Sequence, residues 1–233
     1  MVETKTNIEQ IKKILRCFLT IDIKNEDNVC GIISHPVFNT IYIYDEYDKK
    51  ILNISIKEEL SRANEIYYNK INQCKNIKEC FNIIRKPYYL VFLKYIKPYL
   101  SISDFSELLG FAWIHAENPN SDINVPIAEI EKWFMESDKI KLMTINEYDM
   151  YNNLPEVIEV YRGIGEKTNI HGMSWSIQKN TAKWFAERFR SDKPYIIQGT
   201  ANKKNIMAFF ARSNEDELVI PYRNVANKEI IEL

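Results

Sequence analysis

The sequence predicts an α+β protein, with a mainly helical region over residues 1–150 and a compact, largely antiparallel β domain over residues 151–233. In the first region, apolar residues recur at the three- and four-residue spacing of amphipathic helices. After Leu154 and Pro155 the pattern changes to short β-rich runs, interrupted by one helical stretch. No glycine- or serine-rich linker marks residue 150, which leaves open whether the two parts share one core.

The first region contains several predicted helices and one β-hairpin. Ser103 is predicted to cap a helix that runs to about Trp113, and the apolar segment between Pro87 and Pro98 fits either a helix or a buried strand. The hairpin is predicted from two β-rich runs on either side of a charged turn, Thr40–Tyr44 and Ile51–Ile56. The remaining helices are predicted over residues 7–18, 57–71, 77–85 and 126–134.

The β domain contains five predicted strands and one helix. Within the helix, at about 180–189, three aromatic residues recur at helical spacing and are predicted to be core: Trp184, Phe185 and Phe189. The strands are predicted at Val157–Tyr161, Met173–Ser176, Tyr195–Thr200, Ile206–Arg212 and Glu217–Tyr222.

Composition and charge exclude some classes of protein. The 31 lysine and arginine residues nearly balance the 32 aspartate and glutamate residues, so the net charge of −1 gives no global attraction to a polyanion. The apolar run from Tyr88 to Ile96 is far shorter than the roughly 20 residues of a membrane span, and it contains Lys94. No apolar segment follows Met1, so the sequence predicts a cytoplasmic protein without a secretory signal or membrane partner.

Neither the cysteines nor the histidines form a pattern typical of a metal site, so no metal is expected. The cysteines lack paired spacing and are predicted to be reduced structural thiols: Cys17, Cys30, Cys74 and Cys80. The histidines are isolated in the sequence and are not expected to act on a substrate: His35, His115 and His171.

Three short motifs follow one another in the β domain: Val-Tyr-Arg-Gly at 160–163, Gly-Met-Ser-Trp-Ser at 172–176, and Asn-Glu-Asp-Glu-Leu-Val-Ile-Pro at 214–221. An arginine that closes one strand, a Ser-x-Ser on the next and a Glu-x-Glu that opens a late strand resemble the arginine-serine-glutamate mono-ADP-ribosyltransferases. This family includes bacterial toxins and phage-encoded enzymes. The likeness covers roughly residues 155–225, and residues 113–122 resemble phage proteins with the same C-terminal motifs, which supplies no activity.

The resemblance implies a split β-sheet around a cleft for NAD, which is the substrate. Glu217 would hold the ribose 2′-hydroxyl, Ser174 would orient Glu217, and Arg162 would contact phosphate or ribose in a bidentate manner. The backbone of Gly163 would meet the nicotinamide amide. Three neighbours complete the predicted NAD-binding set: Tyr161, Trp175 and Ser176. These residue types suit the chemistry, because cleavage passes through a cationic ribose that a carboxylate stabilises.

Glu215 is the second carboxylate of the Glu-x-Glu motif, and period-two alternation predicts that it shares a strand face with Glu217. In the family, a glutamate at this position accompanies modification of arginine side chains. The resemblance therefore favours a protein acceptor, with an arginine as the modified residue.

The sequence departs from the larger toxins in two places, of which the first concerns the hold on the adenosine half of NAD and the second concerns the acceptor. Ser174 lies only 12 positions after Arg162, which leaves no room for the helical insertion of many relatives. Arg212 stands where several toxins have an aromatic residue that contacts the target.

Three alternatives stay open. The first is an NAD glycohydrolase, in which water is the acceptor. The second is modification of nucleic acid, for which a basic edge is available although the net charge disfavours tight binding: Lys203, Lys204, Arg212 and Arg223. The third is a phage structural or interaction protein without activity.

Overall fold

The computed structural model describes residues 5–25, 32–116, 118–165, 169–188, 193–211 and 215–233. It confirms an α+β chain with a mostly antiparallel sheet. The chain divides into two compact units, Met1–Asp104 and Phe105–Leu233, whereas the sequence predicted a division near residue 150. Four residues of the sequence predictions lie outside the described ranges: Cys30, Phe189, Arg212 and Asn214.

Unit 1 consists of helices and two small β-ladders. The predicted hairpin is confirmed, with Tyr42 opposite Asn53 and Asp45 opposite Lys50. The segment between Pro87 and Pro98 is helical. The elements are α1 (Ile8–Leu19), β1 (Lys24–Asn25), β2 (Ile33–Ser34), β3 (Tyr42–Asp45), β4 (Lys50–Asn53), α2 (Lys57–Gln73), α3 (Ile77–Phe81) and α4 (Tyr89–Ile96).

Unit 2 contains helices and a six-stranded sheet, and most of these helices precede the first strand of the sheet in the sequence. The helices are α5 (Ile102–His115), whose first turn includes the unit boundary, α6 (Ile127–Glu136), α7 (Lys139–Leu142), α8 (Ile145–Asn152) and α9 (Lys179–Glu187). The strands are β5 (Val157–Ile164), β6 (Ser174–Ser176), β7 (Tyr195–Asn202), β8 (Ala208–Phe210), β9 (Glu217–Val219) and β10 (Val225–Glu232). Their order is β10-β7-β5-β6-β9-β8, and the five pairings between them are antiparallel.

Hydrogen bonds explain why residues 105–150 belong with the sheet. Glu147 on α8 accepts the backbone N–H of Ala211 at 3.0 Å, directly after β8. Lys139 at the start of α7 donates to the carbonyl of Ile206 at 3.0 Å. These helices cover the β8 edge of the sheet, and the change from helical to strand pattern at residue 150 does not mark the end of a folding unit.

The sheet is weakly joined between β5 and β6. On its other side, β5 pairs with β7 over eight residues, from Val157 to Ile164. It pairs with β6 at one position, Tyr161 opposite Ser176. Past that pair, residues 162–164 of β5 and Ser174 of β6 lie along a gap in the ladder. We call this gap the β5–β6 seam.

Helix α9 lies directly on β5 at Gly163. A Cβ atom added to Gly163 would lie 1.9 Å from the carbonyl oxygen of Ala182 and 2.7 Å from the backbone nitrogen of Ala186. Both neighbours are backbone atoms that cannot rotate away. The glycine therefore allows a close contact between helix and strand.

Replacing Gly163 with alanine is expected to destabilise the protein by about 3 kcal/mol, because α9 must move away from β5 and overpacking has costs of this size. Urea unfolding measures the effect. Val157→Ala is the control, since Val157 is on the same strand but exposed, and its expected change is about 0.5 kcal/mol or less. A Gly163→Ala protein as stable as the wild type would contradict this packing.

Two of the sequence predictions need correction here, and one strand of the sheet was not predicted. Ser101, not Ser103, caps α5, since its hydroxyl accepts the N–H of Asp104 at 3.0 Å. Strand β10 was not predicted, because it is an edge strand whose residues after Val225 are almost all exposed and show no alternation. Trp184 is not core: it is 57% exposed on α9.

Candidate active site

A cavity of about 330 Å³ lies in unit 2 at the β5–β6 seam, within the size range of small-molecule sites. Every residue that the sequence assigned to NAD binding or catalysis lines it. Its wall is formed by Trp113, Ile114, Ala116, Asn118, Pro119, Asn120, Tyr161, Arg162, Gly163, Asn169, Ser174, Trp175, Ser176, Thr181, Ala182, Phe185, Arg188, Glu215 and Glu217.

Glu217 is the first residue of β9, and its carboxylate is held by two donors. The indole N–H of Trp113, on α5, donates to Oε1 at 3.0 Å. The hydroxyl of Ser174, on the neighbouring strand β6, is the second hydrogen-bond partner. Tyr161, Ser176 and Glu217 are successive partners across the sheet and therefore share one face.

Ser174 is held in turn by Asn120, which lies in a short 3₁₀ turn at Pro119–Ser121. The Asn120 Nδ2 donates to the Ser174 hydroxyl at 2.7 Å, and its Oδ1 accepts the N–H of Met173 at 2.6 Å. The backbone carbonyl of Asn120 accepts the side-chain amide of Asn169 at 2.7 Å. The 3₁₀ turn thus fixes both the start of β6 and the loop before it.

Arg162 bridges the β5–β6 seam with its side chain. Nη1 donates to the carbonyl oxygen of Ser174 at 2.5 Å, and Nη2 donates to that of Asn169 at 2.6 Å. The residue is 5% exposed, and its Nε–H has no hydrogen-bond partner among the described residues. The guanidinium fork predicted to bind phosphate or ribose is thus engaged with protein carbonyls, and the buried Nε–H is the donor left for another contact.

Gly172 permits this position of Arg162. A Cβ atom on Gly172 would lie 2.1 Å from the Arg162 Nη2 atom. Position 172 in the second motif is therefore occupied by glycine because the side chain of Arg162, from the first motif, lies where a Cβ atom would be. The backbone of Gly163 was predicted to meet the nicotinamide amide through the space left by the missing side chain; that space is filled by α9, while Gly163 itself lines the cavity.

Glu215 was predicted to lie on the same strand as Glu217, and this is wrong. Strand β9 begins at Glu217, and Asp216 has a left-handed φ of 44°, so period-two alternation does not extend to Glu215. Glu215 reaches the cavity from the preceding turn instead. Ser176 stabilises that turn, because its hydroxyl donates to the Glu215 carbonyl at 2.8 Å.

Tyr161 and Trp175 have different positions at the cavity. Tyr161 is partly exposed, and its hydroxyl donates to Glu159 two residues earlier on β5. Trp175 is 1% exposed, and its indole donates to the carbonyl of Ile220 at 3.1 Å. The Trp175 ring is therefore part of the core, and only Tyr161 of the pair has a ring available at the cavity surface.

Helix α9 brings an aromatic ring and a second cation to the cavity. The guanidinium carbon of Arg188 lies 5.2 Å from the ring centroid of Phe185 and 5.4 Å from that of Trp184. Arg188 also attracts the Glu215 carboxylate. The described lining residues therefore include a buried cation, Arg162, and an exposed cation, Arg188, on the side of Glu215.

Burial controls the ionisation of the charged residues. Burial raises the pKa of Glu217 to about 7; the hydrogen bonds from Ser174 and Trp113 oppose this, as does the charge of Arg162, while Glu215 adds to it. Burial also raises the pKa of Glu215, against the attraction of Arg188. Desolvation lowers the pKa of Arg162 to about 10, so it stays charged at neutral pH, with Glu217 favouring the charged form.

Several other polar residues considered in the sequence lie in the described ranges but do not line this cavity. His171 packs edge-on against Tyr222. Arg223, one member of the basic edge, is paired with Glu131. Cys74 and Cys80 are buried free thiols, whereas Cys17 is exposed, contrary to a core role.

Within the described ranges, no group of three or more histidine, cysteine, aspartate or glutamate residues is arranged to hold a metal ion. Among the helices that the structure describes, none combines the length and apolarity needed to cross a bilayer.

Comparisons with models of protein families, with curated proteins and with solved structures find no match to this chain. The interpretation of the site therefore depends on its own geometry and chemistry.

Proposed function

We propose that the chain is a mono-ADP-ribosyltransferase that cleaves NAD at the β5–β6 seam and transfers ADP-ribose to a macromolecular acceptor, with a protein favoured. The observation that carries the proposal is the meeting of Arg162, Ser174 and Glu217 in one cavity, with Ser174 in contact with both others. Arg162 and Ser174 come from motifs on neighbouring strands, and Glu217 comes from a third motif, 43 positions after Ser174. Their convergence supports the resemblance to an ADP-ribosyltransferase and its split sheet.

The reaction breaks the bond between ribose C1′ and the nicotinamide nitrogen. Nicotinamide leaves as a neutral molecule with the bonding electrons, and positive charge develops on the ribose. Glu217, ionised and held by Ser174 and Trp113, would accept a hydrogen bond from the ribose 2′-hydroxyl and stabilise that charge. Its two fixed donors hold the carboxylate in place before the reaction, which lowers the cost of reorganisation.

The acceptor atom then bonds to C1′ and loses a proton. Glu215 is the second carboxylate at the cavity, and its raised pKa makes it a better base than an exposed glutamate. Arg188 and Phe185 line the same cavity and would hold parts of NAD outside the nicotinamide-ribose, through charge and ring stacking respectively. An arginine side chain is the acceptor group that this carboxylate favours.

The test is nicotinamide release from NAD labelled in the nicotinamide ring, measured with the purified protein alone and with protein, RNA or DNA pools. NAD labelled in the adenine reports transfer to each pool. Glu217→Gln is expected to lower release by about 10²–10³-fold, the loss typical of a group that stabilises transition-state charge. Glu229→Gln is the control, because Glu229 is exposed on β10, and it should retain wild-type release.

The outcomes separate the alternatives. Label on protein supports the proposal as stated, and label on RNA or DNA changes the acceptor. Release without label on any pool would indicate an NAD glycohydrolase. Neither release nor NAD binding by the wild type would reject the enzyme and support a role in structure or interaction.

A further inference from the structure

Two hydrogen bonds determine the orientation of the Asn120 side-chain amide. Its side-chain Oδ1 accepts a hydrogen bond from the backbone N–H of Met173, which can only donate. This contact settles which end of the amide is oxygen and which is nitrogen. The nitrogen therefore faces Ser174, 2.7 Å from the hydroxyl oxygen, and donates to it.

Ser174 has a single hydroxyl hydrogen, and Asn120 cannot accept it through Nδ2. The hydrogen is thus left for the carboxylate of Glu217, the other partner of this hydroxyl. We infer that Asn120 is a positioning residue that directs the Ser174 hydroxyl hydrogen towards Glu217, so that the carboxylate is met by fixed donors on both sides. The effect of Asn120 on catalysis rests on the proposed function, whereas its effect on the titration of Glu217 does not.

The second donor supports the same interpretation. Trp113 Nε1–H can only donate, and it lies 3.0 Å from Glu217 Oε1. Trp113 is 1% exposed and packs edge-on against Phe134 with ring centroids 5.1 Å apart, so its orientation is fixed. Both donors therefore trace back to residues 113–120, outside the sheet, and both favour the ionised carboxylate.

Other charges also act on Glu217 and must be kept constant in a test. Arg162 from β5 favours the ionised form, and Glu215 from the turn before β9 disfavours it. Arg188 from α9 acts on Glu215. The tests below leave these three residues unchanged.

The decisive variant is Asn120→Asp, which keeps the shape and the acceptor for Met173 but replaces the donor with a second acceptor. The Ser174 hydroxyl would then donate to the new carboxylate instead of to Glu217, and a negative charge would be added nearby. We expect the midpoint of Glu217 titration to rise by about one pH unit, so that nicotinamide release at pH 6.5, relative to pH 9, falls about tenfold. Asn120→Ala removes the donor without the charge and should move the midpoint in the same direction by less.

The titration is read in the free protein from the indole ¹H–¹⁵N NMR signal of Trp113, which is bonded to Glu217 and is one of four tryptophans in the chain. Trp113→Phe identifies the signal. Asn124→Asp is the matched control, because Asn124 is exposed in the same connection and gains the same charge; its midpoint should equal that of the wild type.

Failure of the proposed function and failure of the positioning role give different results. A raised midpoint in Asn120→Asp, with no NAD cleavage by any form, would keep the positioning role and reject the proposed function. A midpoint unchanged in both Asn120→Asp and Asn120→Ala would overturn the positioning role even if the wild type cleaves NAD.

Discussion

Glu217→Gln is expected to yield a protein that is more stable than the wild type at neutral and alkaline pH, although inactive if Glu217 has the proposed role. Burial raises the pKa of Glu217 from an ordinary value of 4.5 to about 7. The folded state therefore binds this proton more tightly than the unfolded chain does. The wild type loses the corresponding stability as the pH rises from about 4.5 to about 7, and above that range the full cost of the buried charge is present.

The gain from Glu217→Gln should therefore depend on pH with a definite sign. We expect almost no difference in the free energy of unfolding near pH 4.5 and a gain of up to about 3 kcal/mol at pH 8. Urea unfolding at both pH values measures this, with Glu229→Gln as the control. A loss of stability at pH 8, or an equal gain at both pH values, would contradict a strained carboxylate in the cavity.

Arg162→Lys is expected to destabilise the protein by about 3 kcal/mol and to abolish nicotinamide release, although the charge is kept. The guanidinium fork reaches two carbonyl oxygens, those of Ser174 and Asn169, from one side of the β5–β6 seam. A lysine ammonium is a single point donor and cannot reproduce this planar arrangement. One carbonyl contact would be lost inside the protein, together with the position of Ser174.

The matched control for Arg162→Lys is Arg223→Lys. Arg223 also pairs through a guanidinium fork, with Glu131, but its side chain is 68% exposed. Its replacement should change stability by about 1 kcal/mol or less. Urea unfolding and nicotinamide release are measured for both variants. If Arg162→Lys were as stable as Arg223→Lys, the β5–β6 seam would not depend on the arginine.

The sequence predicted which residues meet at the site better than how each of them is placed there. The resemblance of the three motifs, in their order, to those of ADP-ribosyltransferases predicted that Arg162, Ser174 and Glu217 belong together, and all three line one cavity. The position of Glu215 could not be obtained from alternation, since the left-handed Asp216 interrupts the strand. Trp175 alternates with Ser174 and Ser176 on a short strand, and its indole is consequently in the core.

The two residues outside the sheet carried no signal of their role. Trp113 matches the apolar side of an amphipathic helix, and Asn120 stands in a polar stretch typical of a loop. Their contacts with Glu217 and Ser174 span 104 and 54 residues of sequence, respectively. Local patterns cannot report contacts at such separations, and the same limitation explains the misplaced domain boundary, since helices α7 and α8 contact strands far along the chain.

The β5–β6 seam also affects how this site can change in evolution or by design. Two strands joined by a full ladder resist a change in the distance between them, because moving them apart breaks the hydrogen bonds of the ladder. Among the described residues, one register pair and the side chain of Arg162 join β5 to β6. The width of the cleft can therefore change without the loss of a backbone ladder, provided that Arg162 and Gly163 are kept, and ligands of different bulk become accessible to the same scaffold.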